Sequence, residues 1–157
     1  MTRTVASDEE ARRIATRPLL MSLRPRFADA ILDGSKTVEL RRTRVSAVPG
    51  TLIVIYASAP VMSVVGVATL DAVDIDRPAA LWRRHKRELG LTRQEFDAYL
   101  EGAEIACGLQ VREPRVLEEP YPLSWLRGHA GFQPPQSYRY LADLDPEPLH
   151  ALTRAHG

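Results

Sequence analysis

The stretch GSKTVELRR, residues 34–42, carries four charged side chains around two apolar ones. Val38 and Leu40 alternate with polar residues, which predicts a short strand with one apolar face turned to the core. Glu39 and Arg41 share the opposite face and stand close enough to form an ion pair. A paired guanidinium is held rigid, and its forked donors suit a phosphate group or a planar base edge. The stretch therefore predicts a strand that combines a buried face with a fixed cationic group.

The residues before this strand predict a strand–helix unit. The apolar run Leu19–Leu23 is typical of a short buried strand. Pro25 suits the first turn of a helix, where its missing N–H is not needed, and Gly34 suits the end of that helix. Lys36 then starts the next strand beside a flexible glycine. We expect it at the rim of the fold, with its aliphatic stem covered and its ammonium exposed to a cleft.

After the quoted strand, short apolar runs alternate with turns that contain glycine or proline. They predict further strands at Thr51–Tyr56, Val61–Val73, Glu104–Leu117 and Tyr138–Leu141, and helices that begin near Pro78, Thr92, Tyr121 and Pro146. Gly66 and Gly108 fall inside strands, where glycine indicates a bend. Thr92 and Glu95 have the spacing of a capping box. Pro134 and Pro135 stiffen the loop before the last strand. Curved strands with few helices predict an α+β fold, a small mixed β-barrel flanked by helices. We expect a flexible leader over residues 1–17 and a single domain over residues 18–157 that ends in a short helix.

Composition limits the function classes. The chain has 157 residues, a formal net charge of +1 and one cysteine. The small net charge argues against a binder that works by charge alone. A single cysteine excludes a disulfide framework and a cysteine-rich zinc site, and the four histidines lack metal-ligand spacing, so we expect no metal site. The sequence shows neither a secretion signal nor an apolar run of membrane-spanning length, so we expect no membrane partner and a cytoplasmic location.

The order of these elements, together with Gly34-x-Lys36-x-x-Glu39-x-Arg41, resembles the ASCH domain, a branch of the PUA-like β-barrel superfamily. All four positions of the family's G-x-K-x-x-E-x-R signature match. Later segments are similar to what these domains carry at equivalent places, namely IYASAP at residues 55–60, Val65-Gly66, Leu81-Trp82 and PPQSYRYL at residues 134–141. The similarity covers Leu19 to Leu141, which is nearly the whole predicted domain.

The resemblance implies a PUA-like barrel whose partner is RNA or a nucleotide, bound in a cleft between the barrel and its flanking helices. Arg24 precedes a predicted helix N-terminus, which attracts anions. Trp82 offers an aromatic ring on which a base could stack. The candidate ligand-binding residues are Arg24, Lys36, Glu39, Arg41, Tyr56, Ser58, Trp82, Gln136, Ser137 and Tyr138. If the protein is an enzyme, the candidate catalytic residues are Lys36, Glu39, Tyr56 and Ser58.

Two functions are compatible with these residues. The first is a binding module for single-stranded RNA or a nucleotide, which needs no catalytic geometry and agrees with the low net charge. The second is a ribonuclease, in which Lys36 or Arg41 stabilises a pentavalent phosphorane and Tyr56 or Ser58 assists proton transfer. No cofactor is expected, although a nuclease could use a divalent ion bound only through its substrate, which would leave no motif.

A third function, hydrolysis of the amide of an acylated cytidine, is disfavoured. The resemblance implies that relatives with this activity use a lysine to activate a threonine three positions later. Glu39 occupies that position here. Thr37 is adjacent to Lys36 and is predicted to point to the opposite face of the strand, so it is a poor substitute nucleophile.

Overall fold

The structure, a computed structural model, describes residues 17–129 and 131–156. The flexible leader predicted for residues 1–17 lies, apart from Arg17, outside the described residues. Within the described part of the chain, six strands and five helices follow one another. In order they are β1 (Leu19–Leu23), α1 (Pro25–Leu32), β2 (Val38–Arg41), β3 (Leu52–Ala57), β4 (Ser63–Asp76), α2 (Pro78–His85), α3 (Arg93–Tyr99), β5 (Ala106–Pro122), α4 (Leu123–Arg127), β6 (Tyr138–Tyr140) and α5 (Glu147–His156).

The six strands form one curled sheet, a half-barrel, in the order β2-β5-β4-β3-β1-β6. β1 runs parallel to β3 because α1 and β2 separate them in the chain, and the other neighbouring pairs are antiparallel. The register between β4 and β5 shifts near Gly66, where a glycine inside the strand was predicted to mark a bend. The predicted α+β class is confirmed, and the barrel is an open one.

The inner face of the sheet and α1 bury one apolar cluster, which we call the inner core. α1 contributes Ala28 and Ile31, spaced to lie on one side of the helix. The residues of the inner core are Leu19, Met21, Leu23, Ala28, Ile31, Val45, Ile53, Ile55, Ala57, Ala68, Leu70, Cys107 and Leu109. Cys107 is fully buried, and burial raises the pKa of its thiol. The inner core therefore holds the sheet curled around α1.

Two further clusters cover the outer face. α4 and α5 pack on one half of the sheet, and we call this the outer core; it contains Leu20, Val54, Tyr56, Val64, Val67, Leu117, Leu123, Leu126, Phe132, Leu141 and Leu149. α2 and α3 pack on the other half, and we call this the side cluster; it contains Val38, Leu40, Leu81, Leu89, Phe96, Leu100 and Ala106. The helices therefore do not form a single layer, and α2 and α3 stand beside β2.

Side chains bridge the gap between the sheet edges β2 and β6. Arg41, at the end of β2, donates to Ser137 Oγ at 2.8 Å and to the backbone oxygen of Ser22 at 3.2 Å. Further along, the Tyr140 hydroxyl on β6 donates to the backbone oxygen of Ser46. These bonds link two edges that share no backbone ladder. The open side of the half-barrel is therefore closed by side chains rather than by strand pairing.

Candidate functional site

A cleft of about 760 Å³ opens where the ends of β1 and β2 meet α1 and α3. Its size lies within the range of small-molecule and cofactor sites, which runs from about 300 to 1,000 Å³. The residues that line it are Ser22, Leu23, Arg24, Phe27, Lys36, Glu39, Leu40, Arg41, Ser58, Leu91, Glu95, Ala98, Tyr99, Gln136 and Ser137. Charged groups from β2 form one side of the cleft, and apolar side chains from α1 and α3 form another.

The charged face of β2 points to the inside of the half-barrel. Glu39 is paired with Leu109 of β5, and Arg41 is paired with Cys107. Directly paired residues lie on the same face of a sheet, and both partners belong to the inner core. The apolar face of β2 turns outward, into the side cluster beneath α2 and α3. The sequence predicted the alternation of β2 correctly but assigned its apolar face to the main core.

Lys36, Glu39 and Arg41 form a continuous chain of charge. Lys36 Nζ lies 3.3 Å from Glu39 Oε1, and Arg41 Nη2 lies 3.0 Å from Glu39 Oε2. The predicted pairing of Glu39 with Arg41 is therefore confirmed. All three side chains are at least nine-tenths buried, which an unpaired carboxylate would tolerate poorly. Arg41 Nε is buried and has no hydrogen-bond partner among the described residues.

Lys36 lies deeper than the sequence predicted. Only 1% of its surface is exposed, and Nζ donates to the backbone oxygen of Leu89. The Phe27 ring lies 5.1 Å from Nζ, within cation–π distance. Burial lowers the pKa of Lys36 below 10.5, although the charge of Glu39 opposes this shift. The expectation of an ammonium exposed at the rim was wrong, because the segment between α2 and α3 covers it through Leu89 and Gly90.

Two arginines beside the cleft, Arg24 and Arg26, differ in whether their side chains have partners. Arg24 is exposed and has no ion-pair or hydrogen-bonded side-chain partner in the described ranges. Arg26 is held by Glu95, with contacts of 2.5 and 3.1 Å, and also donates to the Gly90 backbone oxygen. The hydrogen bond from Arg26 lowers the pKa of Glu95 to about 2. Arg26 and Glu95 thus connect α1 to α3 at the mouth of the cleft.

The structure brings together seven of the ten predicted ligand-binding residues. They are Arg24, Lys36, Glu39, Arg41, Ser58, Gln136 and Ser137, and all line the cleft. Gln136 and Ser137 arrive on the loop before β6, whose stiffening by two prolines was noted in the sequence. These residues come from four separate stretches of chain, so their proximity is a property of the fold.

Tyr56, Trp82 and Tyr138 do not line the cleft. Tyr56 is 4% exposed in the outer core, and burial raises the pKa of its hydroxyl. Trp82 packs against Phe96 in the side cluster, with ring centroids 5.1 Å apart. Tyr138 packs against the inner core, and its hydroxyl points to the backbone oxygen of Arg44. Each of these rings is at least partly buried among apolar neighbours. The free energy gained by burying the ring exceeds what its polar edge would gain from exposure at the cleft.

Sequence reasoning missed the wall that α3 provides. Leu91, Ala98 and Tyr99 line the cleft, and so does Glu95, which was predicted only as part of the capping box with Thr92. That capping box is present: Glu95 N donates to Thr92 Oγ1 and Thr92 N donates to Glu95 Oε1. The available signal was the exposed face of a short amphipathic helix, which does not reveal where the helix packs.

Two other predictions bear on the chemistry of the cleft. No group of three or more His, Cys, Asp or Glu side chains in residues 17–129 and 131–156 is placed to hold a metal ion. Thr37 does not line the cleft; it lies on a separate pocket of about 250 Å³ with His85 and Glu88. No helix in the described part of the chain is long and apolar enough to cross a membrane.

Fold and cleft together define a PUA-like half-barrel with a buried charge cluster at its open side. A family model described as the ASCH domain matches residues 21–119. A protein of Zymomonas mobilis named ASCH domain-containing ribonuclease is 39% identical over 135 residues, which cover 85% of this chain and 90% of that protein. The crystal structure of ASCH from Zymomonas mobilis has a TM-score of 0.80 to this chain at 38% identity, and the match covers 87% of this chain and 96% of that one. The chain belongs to the ASCH domain family.

The match to a second relative covers a smaller share of that relative's length. Large ribosomal subunit protein uL22 of Ureaplasma parvum is 26% identical over 136 residues, which cover 83% of this chain and 42% of that protein. The N-terminal domain of Staphylothermus marinus McrB, at 14% identity and a TM-score of 0.51, shares the fold. These matches show that the fold recurs in proteins with different names.

Proposed function

We propose that the protein binds single-stranded RNA in the cleft and cleaves its backbone. The observation that carries the proposal is the chain of Lys36, Glu39 and Arg41, nine-tenths buried yet bordering an open cleft of about 760 Å³. The name of the relative from Zymomonas mobilis, an ASCH domain-containing ribonuclease at 39% identity, supports the reaction. RNA is thus the proposed partner, and its phosphodiester bond is the proposed substrate.

Arg41 is the group best suited to hold a phosphate. Its Nη1 and Nη2 atoms are fixed by Ser137, Glu39 and the Ser22 backbone, so the guanidinium loses little freedom when a ligand arrives. Its Nε–H lacks an acceptor among the described residues. The charge of a fixed guanidinium that borders the cleft favours an anion as its ligand. Arg24, exposed at the rim, provides a second cation for a neighbouring phosphate.

Lys36 acts as a positioning residue in this proposal. Its ammonium is held by Leu89 and Glu39, so it fixes the carboxylate that in turn orients Arg41. The two cations outnumber the one carboxylate between them, and the cluster keeps a positive potential. In cleavage by the adjacent 2′-hydroxyl, the 2′-oxygen bonds to phosphorus, gives up its proton, and the 5′-oxygen leaves with a proton. The intermediate phosphorane carries extra negative charge, which a fixed guanidinium stabilises.

Proton transfer is the less complete part of the site. Tyr56 is buried in the outer core, so Ser58 remains as the cleft-lining member of the predicted pair. Both carboxylates in the cleft are held in ion pairs, Glu39 by Lys36 and Arg41, and Glu95 by Arg26. This observation favours a second candidate function, binding of single-stranded RNA without cleavage. A divalent ion carried in on the RNA phosphates would supply chemistry that these side chains lack.

Cleavage of a 5′-labelled single-stranded RNA separates the two functions. We expect shortened products from the wild-type protein under each of three conditions, namely EDTA, Mg²⁺ and Mn²⁺. Arg41→Ala should cleave about 100-fold more slowly, as for loss of one oxyanion donor. Arg41→Lys keeps the charge but not the fork, and should also be impaired. Arg83→Ala, which removes an exposed cation of α2 outside the cleft, is the matched control and should cleave normally.

Binding is measured on the same RNA by fluorescence anisotropy. Binding without products under all three conditions would leave the binding module as the function. If the wild-type protein neither binds nor cleaves, or if Arg41→Ala behaves like Arg83→Ala while remaining folded, the proposal is wrong. Thermal unfolding of each variant establishes that it is folded.

A further inference from the structure

Three aromatic rings stack along the outside of α4. Tyr121, Trp125 and His129 follow at four-residue intervals. The Tyr121 and Trp125 centroids lie 5.4 Å apart with planes inclined by 34°, and the Trp125 and His129 centroids lie 4.1 Å apart with planes inclined by 30°. His129 Nδ1 donates to the Trp125 backbone oxygen at 2.8 Å, which fixes the imidazole against the indole. We call these three rings the aromatic ladder.

Trp125 and His129 are not part of the core, although Tyr121 packs against the outer core. α4 is anchored by Leu123 and Leu126, which are buried in the outer core, whereas 38% of Trp125 is exposed. His129 is exposed as well. Trp125 lies between Tyr121 and His129 in the stack. The face to which another flat ring can add is therefore the outer face of His129, which is exposed. A stack of this kind is suited to a ligand that consists of planar groups in series.

One tight turn joins the aromatic ladder to the cleft. Ser58 lines the cleft, and its backbone oxygen accepts a bond from Met62 N at 3.3 Å. The Met62 backbone oxygen in turn accepts a bond from Leu123 N at 2.9 Å, at the first residue of α4. Val61 and Met62 are themselves exposed apolar side chains. Two backbone hydrogen bonds therefore connect Ser58 at the cleft, through this exposed turn, to the start of α4.

We infer that the aromatic ladder is a second RNA-binding subsite, on which bases stack as a single strand leaves the cleft past Met62. The inference rests on the proposed function of the cleft and extends it to the length of RNA bound. Only single strands expose base faces for such stacking, and stacking tolerates any base sequence. The subsite thus favours unpaired RNA longer than the cleft alone can hold.

The charges near the aromatic ladder predict how this subsite contributes. Arg127 is exposed on α4, but Glu118 and Glu119 are exposed shortly before Tyr121. One cation and two carboxylates leave this surface without a net positive charge, so phosphate attraction adds little. Affinity gained at the aromatic ladder should therefore depend weakly on salt, in contrast to affinity gained at Arg41.

The experiment compares two 2′-O-methyl oligouridylates by anisotropy, one of four nucleotides and one of sixteen, because RNA without the attacking 2′-hydroxyl stays intact. Trp125→Ala removes the middle ring and with it the support of His129. We expect this variant to bind the sixteen-nucleotide RNA about tenfold more weakly than wild type, as for loss of one base–aromatic stack, and the four-nucleotide RNA equally well. Trp125→Phe should retain most of the affinity. Leu144→Ala, which also truncates an exposed apolar side chain, is the matched control and should not change either affinity.

Direct contact is tested in Trp82→Phe, which leaves Trp125 as the only tryptophan of the chain. Its fluorescence should be quenched by the sixteen-nucleotide RNA and not by the four-nucleotide RNA. Equal affinities of Trp125→Ala and wild type for the long RNA, with cleft binding intact, would overturn this inference alone. A change in oligomeric state of Trp125→Ala, without loss of RNA affinity, would assign the rings to contact between copies instead. Failure of the wild type to bind either RNA overturns both proposals.

Discussion

The residues around Glu39 have a structural role beside their proposed role in ligand binding. One carboxylate lies between two cations, at 3.3 Å from Lys36 Nζ and 3.0 Å from Arg41 Nη2. Such a cluster need not stabilise the fold, because desolvation of three charges offsets their attraction. Its effect is to hold the Arg41 guanidinium in one orientation at the cleft. Removal of one member, in contrast, leaves a buried charge without compensation.

Glu39→Gln is expected to destabilise the protein by about 3–5 kcal/mol, because two buried cations lose their shared carboxylate. The double variant Lys36→Met/Glu39→Gln removes one of these cations and should recover part of the loss. Urea unfolding monitored by circular dichroism gives both free energies of unfolding. Equal stability of the single and double variants would contradict the strong coupling of Lys36 with Glu39.

At the scale of elements, two contacts of α1 shape the site. α1 approaches β4 closely at Gly66, where an added Cβ would lie 2.4 Å from Leu32 Cδ2 and 2.8 Å from the Arg115 backbone oxygen. At the other side, Arg26 of α1 binds Glu95 of α3. The first contact sets the depth of α1 in the half-barrel, and the second ties α1 to the wall of the cleft.

Gly66→Ala is expected to reduce the free energy of unfolding by about 1–3 kcal/mol, because Leu32 must move and the β5 backbone cannot. Gly128→Ala is the matched control. Its nearest neighbour, the Trp125 backbone oxygen, would lie at an ordinary 3.4 Å, so little change is expected. Thermal unfolding of the two variants tests this directly. Similar melting temperatures for both would show that α1 does not need the close approach.

The Arg26–Glu95 contact makes stability depend on acid pH. The pKa of Glu95 is about 2 in the folded protein, against the ordinary value of 4.5 that applies to the unfolded chain. The folded state therefore favours the ionised carboxylate. The resulting stabilisation is fully present above pH 4.5 and is lost as pH falls towards 2. Chemical unfolding of wild type and Glu95→Gln at a series of pH values should show a difference that narrows over this window. A difference that is constant from pH 6 to pH 2 would contradict the assignment.

At the scale of the whole molecule, an open half-barrel is closed by side chains at one seam. Arg41 bridges β2 to Ser137 and to the end of β1, and the cleft lies at that bridge. The same residue thus contributes to closure of the fold and to the proposed site. The overall charge of +1 is small, and the cleft itself is lined by three cations and two carboxylates.

This charge distribution predicts a modest salt dependence of RNA binding. With Arg24 and Arg41 each contacting one phosphate, the slope of log K against log salt should be about −1.4, at about −0.7 per phosphate of a single strand. Anisotropy titrations at several NaCl concentrations measure this slope, and Arg24→Ala should reduce it by about half. A slope of about −4 or steeper would indicate a broad cationic footprint that the cleft does not provide.

The sequence by itself determined the order of the local elements and where several of them begin or end. It did not determine the ends of the long strands: β5 runs to Pro122, beyond its predicted end at Leu117. Pro25 begins α1, and Gly34 follows its end with a φ of +86°, a conformation that other residues avoid. The Thr92 capping box begins α3 as predicted. The signature at residues 34–41 was sufficient to indicate the family, and the pairing of Glu39 with Arg41 followed from strand alternation. Such features depend on neighbours within a few residues, so the sequence carries them.

Only the tertiary structure decided which way β2 faces and how deep its charges lie. The alternation of polar and apolar residues in β2 distinguishes its two faces but does not say which face meets the inner core. The pairing of Glu39 with Leu109 shows that the charged face does so. The burial of Lys36 depends on Leu89, which is 53 residues away in the chain. Tyr56 and Trp82 were predicted to reach the ligand because aromatic rings suit either a core or a site. Long-range packing chooses between these two, and no local pattern records that choice.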